Sequence, residues 1–131
     1  MQPWIKVFLV VCFEVSMGAA LTCLMVATIE NQEEVVDLLL AEPSTEVNAK
    51  DNSNSTTLHY ACSNGNVAIL GKLLAIPGIL ANEKNNNART PIMNAIFKGN
   101  TDAVRMMAVI EEVDLDARTK FGWSLEDLDR R

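Results

Sequence analysis

One histidine, His59, and three cysteines, Cys12, Cys23 and Cys62, are all that the chain offers for an imidazole–thiol pair or a zinc site. The cysteines lack metal-ligand spacing and are odd in number; Cys23 and Cys62, beside or within helix starts, read as small buried hydrophobes in a reducing compartment. The acids Glu111, Glu112, Asp114 and Asp116 could suggest a cation site. They lack the order of an EF-hand loop and fit a solvated helix end. Asn85, Asn86 and Asn87 form a turn, and no Gly-rich loop exists to cradle a phosphate. Asn54-Ser55-Thr56 has the form of an N-glycosylation acceptor in an exposed loop, which matters only in a secreted chain. No catalytic residue, metal or cofactor is expected.

The elements around these residues repeat. Thr56, Leu58, His59, Ala61, Gly65, Leu73, Leu74 and Asn82 recur 34 residues later as Thr90, Ile92, Met93, Ala95, Gly99, Met107, Ala108 and Asp116. They recur 34 residues earlier as Thr22, Leu24, Met25, Ala27, Asn31, Leu39, Leu40 and Asn48. A fourth start follows at Phe121-Gly122-Trp123-Ser124. Each unit reads as two short helices. Leu58, Ala61 and Cys62 form one apolar stripe, and Ile69, Leu70, Leu73 and Leu74 form a second, both at helical spacing. Thr22, Thr56, Thr90 and Ser124 stand where a hydroxyl can cap the first helix. Gly65, Gly99 and Asn31 stand where that helix must end in a left-handed residue. Neither helix can bury its stripe alone, so the units must stack.

The units resemble ankyrin repeats, whose signature is T-P-L-H-x-A with a glycine shortly after. Thr56, Leu58, His59, Ala61 and Gly65 carry the resemblance in the second unit, and Thr90, Pro91, Ala95 and Gly99 in the third. The tetratricopeptide pattern of the same period, W-x-x-L-G-x-x-Y, is absent. Ankyrin units usually run about 33 residues. The extra residue falls between Leu40 and Asn48, Leu74 and Asn82, and Ala108 and Asp116, which reads as a second helix lengthened once. The resemblance implies an all-α solenoid of helix pairs with short loop fingers. It also implies that His59 bonds its threonine hydroxyl and ties one loop to the next; Met25 and Met93 replace it elsewhere, so the tie is expected once.

Units are expected at about 18–51, 52–85 and 86–119, with a half-unit at 120–131. Residues 1–17 stand apart. Their apolar run at 4–13, interrupted by Glu14, is read as a helical cap or the result of a truncated chain. A signal peptide, a membrane anchor or the second helix of an upstream unit are the competing readings. The 17 acidic and 11 basic residues give a formal net charge of −6, which argues against nucleic acid.

The resemblance further implies a protein-binding module, an adaptor or scaffold without enzymatic activity, monomeric and cytoplasmic, whose concave face and fingers receive partner proteins. A secreted or membrane-anchored protein is one alternative. A fragment of a larger adaptor, such as a ubiquitin-ligase substrate receptor, is another. Positions outside the packing stripes are Val26, Ile29 and Glu30, then Tyr60, Ser63 and Asn64, then Asn94, Phe97 and Lys98. Tyr60 and Phe97 are the aromatic anchors among them, unless Phe97 packs under a neighbouring loop. Fingers are expected at 51–55, 83–89 and 118–123, with adaptable Asn-rich tips. Arg89 ends the second finger, while Lys120, Phe121 and Trp123 form a basic-aromatic tip on the third, where Trp123 either binds or covers the end of the stack.

Overall fold

A computed structural model describes residues 22–43, 45–110 and 113. Among these residues the chain forms helices and no strand. They are α1 (Cys23–Ile29), α2 (Glu33–Leu40), α3 (Thr57–Asn64), α4 (Val67–Leu74), α5 (Pro91–Phe97) and α6 (Thr101–Ala108). The first helices α1, α3 and α5 stack in one layer, and α2, α4 and α6 stack behind them. The expected stripes meet between the layers. Leu58, Ala61, Cys62, Ile69, Leu70 and Leu73 are fully buried in a core that runs from Leu24 to Val113. Burial pushes the Cys62 thiol up to about 12, so it remains a neutral apolar filler.

Local chemistry sets the helix ends. The Thr22 hydroxyl accepts from Met25 N at 3.1 Å, and Thr56 occupies the same cap before α3. Asn31, Gly65 and Gly99 adopt φ of 57°, 71° and 74°, which turns the chain back into the second helix. The expected lengthening of the second helix is not what the chain does. Helices α2 and α4 stop at Leu40 and Leu74, and the extra residue lies in the turns that follow. There Ile76 N donates to Leu73 O and Ile79 N to Ile76 O, so tight three-residue steps absorb it.

The stack is held by side chains as well as by its core. Asn48 Nδ2 donates to Gly78 O at 2.9 Å, and Asn48 Oδ1 accepts from Leu80 N at 2.9 Å. His59 Nε2 donates to Arg89 O at 2.8 Å, while its Nδ1 accepts from Thr56 N at 3.0 Å. The carbonyl can only accept, which fixes the tautomer. Met93 replaces this ring in the third unit. Its sulfur accepts weakly from Thr90 N at 3.4 Å, and the buried Thr90 hydroxyl has no partner among the described residues. Among those residues the imidazole tie occurs once, as the resemblance implied.

Two junctions use different donors for the same task. Between the first and second units, Asn64 Nδ2 donates to the helix-end carbonyls of Thr28 (2.8 Å) and Ile29 (3.2 Å). Between the second and third, Asn100 Nδ2 donates to the matching carbonyls of Cys62 (2.7 Å) and Ser63 (2.8 Å). Asn100 passes over Gly65, where any Cβ would stand 2.8 Å from its Cγ. The matching residue in the first unit is Asn31, whose side chain occupies that path. Asn66, the counterpart of Asn100, bonds Asn31 Oδ1 instead.

Thr57 sits at the first position of α3, buried, with its hydroxyl unpartnered. Pro91 fills the equivalent position of α5. The preceding Thr56 is extended, with ψ of 172°, as a following proline requires. Thr57→Pro is therefore expected to stabilise the chain by about 1 kcal/mol, through removal of the orphan hydroxyl and a stiffer unfolded chain. A raised urea midpoint checks this; a lowered one would mean that the site cannot accept the ring.

Candidate protein-binding surface

The fingers are built on one residue each. Asp51 Oδ1 accepts from Ser53 N at 2.9 Å and Ser55 N at 3.0 Å. Asn85 does the same for Asn87 N at 2.9 Å and Arg89 N at 3.1 Å. A short polar side chain that mimics the next turn of backbone is what nucleates such loops. Asn54 and Ala88 close them with φ of 59° and 57°. The tips are not the adaptable loops expected from their composition. Asn86 N donates to Ser53 O at 2.8 Å, Asn54 Nδ2 to Asn86 Oδ1 at 2.7 Å and Asn86 Nδ2 to Asn52 O at 3.3 Å. A Lys50–Glu83 ion pair at 2.8 Å joins the bases of the two fingers. The amide of Asn54, the possible glycan acceptor, is thus engaged within the fold.

Tyr60 leaves α3 half-buried, and its hydroxyl donates to Asp51 Oδ2. Burial raises the phenol's pKa first, and the Asp51 bond and charge add to it, so Tyr60 stays a neutral donor. Asp51 was legible only as the start of a finger, yet it holds the loop and anchors the aromatic together. The matching residue Asn94 is half-buried on α5. Phe97 is also half-buried, and the Arg89 guanidinium lies 4.1 Å from its ring centroid. Lys98 follows as the exposed C-cap.

The structure brings Arg89 and Phe97 into contact and links Arg89 through its carbonyl to His59, beside Tyr60. Other candidates serve the stack. Asn64 ties the first junction, and the Ser63 carbonyl accepts at the second. Val26 is a correction. It is 6% exposed, within five consecutive buried residues at 24–28, so α1 is covered all round and not along one stripe. Ile29 is half-buried and Glu30 exposed. Lys120, Phe121 and Trp123 lie outside the described residues, as do residues 1–17 and the half-unit at 120–131. Cys23 and Cys62 are free thiols; Cys62 is buried as expected, but Cys23, first in α1, is only half-buried, and Cys12 lies outside the described residues. No cluster of metal-ligating side chains occurs among the described residues.

A family model of three ankyrin repeats matches residues 7–85 and 24–120. The chain belongs to the ankyrin repeat family. No curated protein matches it. Ankyrin repeats are generally protein–protein interaction modules and typically not enzymes. Among the described residues of this ankyrin chain, no helix is long and apolar enough to cross a membrane.

Proposed function

We propose that this chain is a protein-recognition module that docks a partner protein on its first-helix layer and fingers, with Tyr60, Arg89 and Phe97 as the contact centre. The observation that carries the reading is the placement of two aromatic rings outside the core on the finger side, each held by a polar neighbour. Tyr60 is oriented by Asp51 and Phe97 by Arg89. Such rings present large area at little further entropy cost. Asn94 and Lys98 extend this surface, and Lys120, Phe121 and Trp123 would prolong it along the next finger. The family match from residue 7 supports reading part of residues 1–17 as an element of the repeat array. The module acts as an adaptor or scaffold without chemistry of its own, in the cytoplasm and as a monomer.

The test is binding of peptides selected on the full chain from a random display library. Tyr60→Ala with Phe97→Ala is expected to weaken them by about thirtyfold or more, with helical circular dichroism intact. Asp51 keeps its two backbone donors in that variant, so the finger survives. Tyr60→Phe, which retains the ring, separates contact area from the Asp51 bond. Unchanged affinity in the double variant would refute the assignment.

A further inference from the structure

Charge is graded along the first-helix layer of the stack. The register position at the end of α1, α3 and α5 carries Glu30, then Asn64, then Lys98, all exposed. The second-helix layer of the first unit is acidic, with Glu33, Glu34 and Asp37 exposed on α2. The stretch 84–100, from the second finger through α5, is the reverse, with three basic residues and no acid. Lys84, Arg89 and Lys98 have no carboxylate within ion-pair distance among the described residues. Neighbouring acids are engaged elsewhere, Asp102 with Arg105 at 3.8 Å. Glu83 pairs with Lys50, and Asp51 is 8% exposed beneath the Tyr60 hydroxyl and two backbone donors.

Arg89 is preorganised for an anion. Its backbone is fixed at both ends, N–H on Asn85 and carbonyl on His59, and its guanidinium rests on the Phe97 ring. Its Cζ lies 4.1 Å from the ring centroid, and no side chain among the described residues accepts from its N–H donors. A guanidinium held in this way presents a fork that matches a carboxylate, with its rotamer cost already met. The whole chain carries a net charge of −6, so a cationic patch here also marks where an anionic segment would be tolerated.

We propose that the first-helix face of the third unit, from Arg89 at the finger to Phe97 and Lys98 at the end of α5, receives an acidic segment of the partner protein, with an Asp or Glu carboxylate on the Arg89 fork. This rests on the recognition role proposed above. The same display selection tests it, with the full chain as bait. Selected peptides should be enriched in Asp and Glu and should weaken as salt rises from about 50 to 500 mM. Arg89→Gln should cost about tenfold or more in their affinity, and Glu→Gln in the peptide should cost the same with no further loss in combination. The Arg89 carbonyl still receives His59 in that variant, so its unfolding midpoint should fall only slightly, by the loss of the Phe97 contact. Peptides without acidic enrichment that are lost on Tyr60→Ala with Phe97→Ala, but indifferent to Arg89→Gln, would overturn the acidic partner and leave the docking surface standing. Peptides indifferent to all three substitutions, or no selection above background, would overturn both.

Discussion

Alanine at Gly65 should destabilise the chain by about 2–4 kcal/mol. Two costs combine. The residue sits at φ +71°, where a Cβ is unfavourable. That Cβ would also stand 2.8 Å from Asn100 Cγ and 2.9 Å from its Oδ1. Asn100 cannot simply swing away, because its amide bonds the Cys62 and Ser63 carbonyls across the junction. Urea unfolding followed by circular dichroism reads the loss. Asn100→Ala alone should cost part of it, and the double variant should cost less than the sum, since the clash then has no object. Full additivity would show that backbone strain alone is responsible.

His59→Leu should cost a similar amount, about 2–4 kcal/mol, because it leaves the Thr56 N–H and the Arg89 carbonyl without their partner. The ring also makes stability depend on pH. Burial lowers its pKa from the ordinary 6.5, against the raising effect of the Arg89 bond. Below about pH 6.5 the unfolded chain takes up a proton that the folded chain refuses, so stability present above that pH is lost as pH falls. Each pH unit can remove at most about 1.4 kcal/mol through this one group. The urea midpoint should therefore fall between about pH 7.5 and 5.5 in the parent chain, and stay nearly flat over that range in His59→Leu. A parent chain with no such slope would show that His59 is protonated in place.

The helix pairs, their caps and their core were legible because each depends on a local pattern seen three times. Thr22, Thr56 and Thr90, the glycine positions and the paired stripes announce themselves by register. The binding surface was only half legible. Tyr60 and Phe97 were visible as aromatics outside the stripes, but the partners that orient them were not. Asp51 lies nine residues from Tyr60 and on another element, and nothing in its spacing says that it reaches the phenol. The Arg89–Phe97 stack likewise depends on how a finger folds back over the next helix. Asn-rich tips read as adaptable because composition reports solubility, not pairing. Their pairing is between fingers, and it appears only once two units are stacked. Val26 was misplaced because register assigns every first helix the same exposed face.

The two asparagine ties have a consequence for how such a chain can change. Asn64 and Asn100 reach equivalent carbonyls from non-equivalent positions, because Gly65 opens a path that Asn31 closes. The units are therefore alike in outline but keyed to their neighbours. Excising the middle unit would bring Asn100 against Asn31 and strand the Thr28 and Ile29 carbonyls. Duplicating a unit, the usual way such arrays grow, would place an end against a neighbour it was not matched to. The order of units is written into the junctions, and this array can lengthen or shorten only if the keys change with it.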